Sequence, residues 1–300
     1  FPTRRSSDLY AIRDLLKNKF PDLLFLKRSY KYISTIDIDN AWAFKQKGVV
    51  RTIGGYLKSL TQFDFKAVSQ RSKVLLGFEK DPYDTYDFQL EIQRKYNLKT
   101  IYFILFASYG KNDKNVPITS QKFCELIKSI SDNAEVGIHP SYGSNYNQER
   151  LPKEIKRLSR VLNREITKSR QHFLKLSFPE TYHHLLELGI TDDYTMGFAS
   201  EIGFRAGICD SFNFYDLDLE SETKLRVHPF QVMDASLRYY MMVDVDDAIH
   251  KIKPIIEEVK KVDGTFMSLW HNESLSNVSP WDGWRNVYEQ TVMEAVSHGA

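Results

Sequence analysis

Short apolar runs of strand length alternate with longer amphipathic runs along nearly the whole chain, and no Gly/Ser-rich or Pro-rich linker separates them. Residues 31–39, 100–106, 135–139 and 265–270 read as strands, being short and either β-branched or continuously apolar. Residues 83–96, 121–129, 148–166, 246–261 and 281–296 read as helices. Ser177-Phe-Pro-Glu180 carries a capping-box pattern that opens a further helix through Leu188, with a stop at Gly189. Such alternation predicts an α/β domain built on a largely parallel sheet. Residues 192–242 differ, with short extended pieces and few helical periods; a regular barrel is expected to be distorted there.

Composition narrows the function classes. The chain has 300 residues and a formal net charge of +2, which argues against recruitment of nucleic acid by a broad basic field. The basic run on the helix at 148–166 (Lys153, Lys156, Arg157, Arg160, Arg164) reads as a solvated face. Two cysteines, Cys124 and Cys209, make neither a disulfide framework nor a thiolate zinc cluster; Cys124 is expected in the core and Cys209 at the rim of a pocket. No apolar stretch reaches the length of a transmembrane helix. Aromatic residues make up 13%, which suits either a large mixed core or a cleft with flat, polar-edged walls. Residues 1–9 resemble translated sequencing-adapter read-through, and a chain that opens on Phe1 reads as a fragment. Residues 10–29 are then a helix or linker, a candidate end of a truncated upstream domain, and residues 30–300 the main domain. What remains of the amino terminus carries no leader and leans to a cytoplasmic reading.

Four strand ends carry acid–base side chains. In Thr35-Ile-Asp-Ile-Asp39 a period of two projects Asp37 and Asp39 from one face, roughly 6–7 Å apart. Carboxylates so placed repel one another unless a cation or a proton lies between them. They can cap the following turn; alternatively one holds a metal ion while the other takes a proton from water. His139 closes the run Val136-Gly-Ile-His-Pro-Ser-Tyr142, which Pro140 forces to end. His172 lies in Ser169-Arg-Gln-His-Phe-Leu174 and His271 in Ser268-Leu-Trp-His-Asn272. Any one of these histidines has a purely structural reading. Together they form an Asp/His/His ligand set with a position left for water, and a spare Asp and His as base and acid. His183, His184 and His250 lie in helical stretches and read as packing or solvent-facing residues.

In their order along the chain these motifs resemble the polysaccharide deacetylases with a NodB-homology domain (carbohydrate esterase family 4), in a divergent branch of the Bacteroidetes type. The resemblance spans about residues 31–296. It rests on Asp37-Ile-Asp39, Ile138-His-Pro-Ser-Tyr142, Arg170-Gln-His-Phe-Leu174, Gly203-Phe-Arg-Ala-Gly207 and Leu269-Trp-His271, with 179–182, 189–196 and 281–288 in support. It implies a distorted (β/α) barrel of about seven strands and a catalytic domain over residues 30–300. It also implies Asp37 as base, Asp39 and His139 as metal ligands, His271 as general acid and Arg205 as the arginine that orients the base. The proline usual two residues after that arginine is here Gly207. The second metal histidine of the family pattern falls at position 143, which is Gly, and Ser144 is a poor ligand. His172 is the replacement expected from the strand order, and Asp234 the carboxylate expected behind His271.

The function implied is removal of N-acetyl groups from a saccharide with the help of a divalent ion, zinc first among them. Trp42, Tyr142, Trp270 and Trp281 are expected as sugar-stacking walls, and Tyr102, Phe103 and Phe106 as barrel core. Three other readings stand beside it: a non-catalytic carbohydrate-binding relative, a metal-dependent amidase on a non-sugar amide, and a glycoside hydrolase with two carboxylates and no metal.

Overall fold

The computed structural model describes residues 4–25 and 28–297. Residues 1–3 of the adapter-like opening and residues 26–27 of the expected linker lie outside the described residues. The rest of that opening forms the start of helix α1 (Arg4–Lys19), whose Tyr10 hydroxyl donates to the Val262 carbonyl at 2.7 Å. There follow β1 (Lys31–Ile38), α2 (Val49–Thr61), α3 (Phe65–Leu75), α4 (Tyr86–Lys95), β2 (Lys99–Ile104), α5 (Gln121–Ser131), β3 (Glu135–Ile138), α6 (Arg150–Leu162), β4 (Lys168–Ser169) and α7 (Glu180–Glu187). The chain continues through β5 (Asp192–Asp193), β6 (Phe212–Asp216), β7 (Ser221–Val227), β8 (Val232–Met233), α8 (Val245–Lys261), β9 (Thr265–His271) and α9 (Trp284–Val296).

Among the described residues one nine-stranded sheet runs in the order β6-β7-β5-β4-β3-β2-β1-β9-β8. All neighbours are parallel except the β6/β7 hairpin. The sheet curls into part of a barrel with helices outside, as expected of a distorted (β/α) barrel, but with nine strands where about seven were expected. The extra ones come from the irregular stretch 192–242: two-residue strands and a hairpin carry no periodic signal that sequence reading can detect.

β1 lies between β2 and β9, and the register pairs Asp37 with Phe103 on one side and with His271 on the other. The carboxyl ends of the central strands therefore face one mouth, where barrels of this kind assemble their sites. Period two sorts the aromatic residues. Phe103 fills the barrel interior with Ile101, Tyr194, Phe230, Met267 and Leu269. Tyr102 and Phe106, expected beside it, belong to the outer layer under the helices. The capping box also fails: α7 begins at Glu180 behind Pro179, and the Ser177 amide donates to Thr181 Oγ1 instead.

Gly137, in β3, has a packing reason. A Cβ there meets Phe103 Cε1 at 2.7 Å and the Lys168 carbonyl at 2.8 Å, so only glycine lets Phe103 fill the interior beside the strand that carries His139. Gly137→Ala is expected to lower unfolding stability by about 1–3 kcal/mol through overpacking, read as a drop in the urea midpoint; an unchanged midpoint contradicts this packing.

Candidate metal centre

Each candidate ligand sits just past the end of a parallel strand. Asp39 follows β1, His139 follows β3 with its amide held by the Ile104 carbonyl at 2.9 Å, and His172 lies three residues past β4. Their ligand atoms all lie within 4.8 Å of one another. Asp39 Oδ1 is 3.2 Å from His139 Nε2, and Asp39 Oδ2 is 3.4 Å from His172 Nε2.

The partners behind the rings fix which nitrogen faces inward. His139 Nδ1 lies 2.5 Å from the Arg170 carbonyl, an acceptor only, so it carries the proton and leaves Nε2 as a lone pair. His172 Nδ1 donates likewise to Asp113 Oδ1 at 3.0 Å. Asp113 is itself pinned by the amides of Tyr142 at 2.8 Å and Gly143 at 3.4 Å. The loop in which the family pattern has its second histidine thus serves here to hold the carboxylate that orients His172. Ser144 turns away and donates to the Ser141 carbonyl.

The electrostatics ask for a cation. Asp39 Oδ1 is buried and, among the described residues, accepts no hydrogen bond, although His139 Nε2 is beside it. Burial alone would lower the His172 imidazole, but Asp39 and Asp113 outweigh it and push it up to about 9. Burial would raise the Asp39 carboxyl, yet His172 and His139 hold it well below the usual carboxylate range. A proton on the imidazoles and a divalent ion among the lone pairs answer the same demand, and one carboxylate oxygen with two imidazole nitrogens is a donor set suited to zinc. The residues present fit the ion.

Asp37 is almost fully buried, and Arg170 meets it: Arg170 Nη1 donates to Asp37 Oδ1 at 2.8 Å and to Thr35 Oγ1 at 2.9 Å. Arg170 Nε donates to the Tyr194 carbonyl, and its guanidinium lies against the rings of Phe103 and Phe230. Arg205, expected in this role, sits in the loop between β5 and β6 and donates to the Gly197 carbonyl at 3.2 Å. The arginine at the end of β4 reaches Asp37 because both strands deliver their side chains into the same barrel mouth.

His271, at the end of β9, presents Nε2 3.8 Å from Asp39 Oδ2. Asp234, just past β8, accepts from both His271 Nδ1 and the His271 amide at 2.8 Å. Burial works against the imidazolium, but Asp234 outweighs it and the His271 pKa lies well above the ordinary histidine value. The mouth opens into a cavity of about 400 Å³ whose walls include Leu269, Phe173, Tyr239, Tyr240 and Trp281. Of the four expected aromatic walls, Trp281 alone lines it. Trp270 is wholly buried against Trp284 and Tyr288, Trp42 packs on Phe123, and Tyr142 meets Tyr146 at a tilt and Phe173 edge-to-face. Cys209 is core, packed under Gly264, rather than at the pocket rim. His183 is paired with Asp216 at 2.5 Å.

No family model matches the sequence, and no curated protein matches it. Solved structures do. A Mycobacterium smegmatis protein described as a polysaccharide deacetylase superposes with a TM-score of 0.57 at 12% identity, covering 92% of this chain and 87% of that one. This is a polysaccharide deacetylase-like fold. A Pseudomonas aeruginosa PAO1 protein of the same description gives a TM-score of 0.54 at 11% identity over 90% of this chain and 85% of its own. An allantoinase gives 0.55 at 11% identity over 90% and 84%. The deacetylase-like fold places the Asp and His side chains of this chain at the barrel mouth on separate strands, which explains why they are scattered in sequence. Asp113 and Arg170 are among the residues at the site that sequence reasoning missed, as is Glu273, which lines the same cavity. Arg170 adjoins His172 within a motif already singled out, whereas nothing in the aperiodic stretch around Asp113 marks it.

Proposed function

We propose that this chain is a metal-dependent hydrolase that removes N-acetyl groups from a saccharide. The observation that carries the proposal is the convergence of Asp39, His139 and His172 around an oxygen that accepts no hydrogen bond among the described residues, with Asp37 Oδ2 3.7 Å from His139 Nε2 and His271 Nε2 3.8 Å from Asp39 Oδ2. A divalent ion held by those three residues supplies Lewis acidity toward the amide oxygen and the attacking water. Asp37, held by Arg170, takes the proton from water as its oxygen bonds to the acetyl carbon. His271 delivers a proton to the nitrogen as the carbon–nitrogen bond breaks, and Asp234 orients that imidazole and supports its charge. Acetate and an amine leave. The barrel-mouth cavity has the exposed rings of Phe173, Tyr239 and Tyr240 in its wall, which suit contact with a sugar.

The same residues suit a non-sugar amide, a reading toward which the allantoinase neighbour points. A panel of N-acetylated oligosaccharides and simple amides separates the two by which substrate releases its acid. For either, turnover is expected to fall to background after dialysis against a chelator and to return on adding zinc. Release that ignores the chelator rules out the metal-dependent scheme.

A further inference from the structure

Helix α2 is built inside out. Its inward face is polar: Arg51 donates to the Asn115 and Lys114 carbonyls at 2.8 and 2.6 Å, and Tyr56 shares a 2.9 Å hydrogen bond with Ser72 of α3. Ser59 is buried on that side, and Gly55 lets the Arg71 side chain of α3 cross directly over the helix. The opposite face holds Val49, Val50, Ile53, Leu57 and Leu60, spaced to share one side of the helix and between 45% and 84% exposed. Phe63 and Phe65 at the turn into α3, and Phe78 beyond it, are between 64% and 79% exposed. A helix on the surface of a globular domain normally turns its apolar stripe to the core, and here the stripe faces outward. An apolar face of this extent marks an interaction site.

We infer that the α2–α3 hairpin docks this chain on an anionic lipid bilayer, with the apolar stripe entering the interfacial layer. Charge selects that occupant. Residues 49–76 carry five basic side chains, Arg51, Lys58, Lys66, Arg71 and Lys73, against the single acidic Asp64, although the whole chain has a net charge of only +2. Asp64 is engaged in capping α3 through the Ala67 amide, and Lys73 pairs with Glu79. Lys58 and Lys66 stand exposed beside the apolar residues, the arrangement of helices that lie in an anionic membrane surface. A second copy of the same face would instead bring like charges together. No helix among the described residues is long and apolar enough to cross the bilayer, so the contact is with its surface. The hairpin follows the carboxyl end of β1, where Asp39 lies. Arg51 ties it to the segment after β2, in which Asn115 donates to the Ile38 and Leu105 carbonyls at the two strand ends and Asp113 holds His172. The docked face and the barrel mouth therefore belong to the same end of the sheet.

Co-sedimentation of the full chain with lipid vesicles is the test. Phosphatidylcholine vesicles containing about one third phosphatidylglycerol are expected to bind it about tenfold more tightly than pure phosphatidylcholine, with that excess lost in about 0.5 M salt. Ile53→Asp combined with Leu57→Asp is expected to abolish binding to both kinds of vesicle. Lys58→Glu combined with Lys66→Glu is expected to remove the anionic excess alone. All four positions are exposed, and circular dichroism checks that each double variant is folded. Should the aspartate pair fail to fold, the glutamate pair and the salt series still decide. Equal binding to the two kinds of vesicle, binding to neither, or an anionic excess that survives salt or the glutamate pair overturns the inference. So does gel filtration that shows a concentration-dependent dimer dissolved by the aspartate pair, which gives the face to a second copy. None of these readouts involves turnover or metal, so the outcome is independent of the deacetylase reading.

Discussion

Asp37→Asn is expected to reduce acetate release about 10³-fold, within the contribution typical of general-base catalysis, while the protein keeps its metal. Asparagine has the same shape as aspartate and still offers an oxygen to Arg170 Nη1, which sits 2.8 Å from Asp37 Oδ1. It cannot take a proton from water. The loss should appear in kcat more than in KM, because a general base is needed as the water attacks and contributes little to holding the substrate. Asp37 Oδ2 is 3.7 Å from His139 Nε2, farther than the Asp39 oxygens are from the ligand nitrogens, so metal content should not follow activity down. A variant with near-normal kcat would mean that another group activates the water.

Arg170→Met is expected to destabilise the fold by about 3–5 kcal/mol, the penalty typical of a buried charge stripped of its partner. Arg170 is wholly buried, and Asp37 receives its 2.8 Å contact in an almost dry position. Methionine preserves much of the packing between Phe103 and Phe230 but leaves Asp37, Thr35 Oγ1 and the Tyr194 carbonyl without their donor. Urea denaturation gives the measurement, and activity should fall with it because the base loses the group that positions it. A change in stability below about 1 kcal/mol would show that the ion pair contributes less than its burial implies.

Legibility in the sequence followed the strength of local patterns. Strands β1, β2, β3 and β9 were readable because each is a β-rich or continuously apolar run, and the acid–base residues at three of their ends stood out for the same reason. Period two, applied to β9, would also have placed Trp270 on the opposite face from His271 and so in the core, where it lies wholly buried. The strands β4, β5 and β8 hold two residues each and exist only through their neighbours in the sheet, so their pattern is tertiary. Asp113 is the same kind of case: its role comes from two backbone amides and one imidazole that meet it across the barrel mouth, not from its flanking residues. The family resemblance implied Arg205 as the arginine that orients the base; Arg170 is the arginine that meets Asp37, at 2.8 Å, while Arg205 donates to the Gly197 carbonyl.

The metal content of the purified chain, loaded with zinc, freed of excess ion and analysed for zinc and protein together, bears most directly on the site formed by Asp39, His139 and His172. One ion per chain is expected, retained in Asp37→Asn and lost from His172→Ala, with circular dichroism showing that the latter is folded. A folded His172→Ala chain that still holds a full equivalent of zinc would contradict this ligand set.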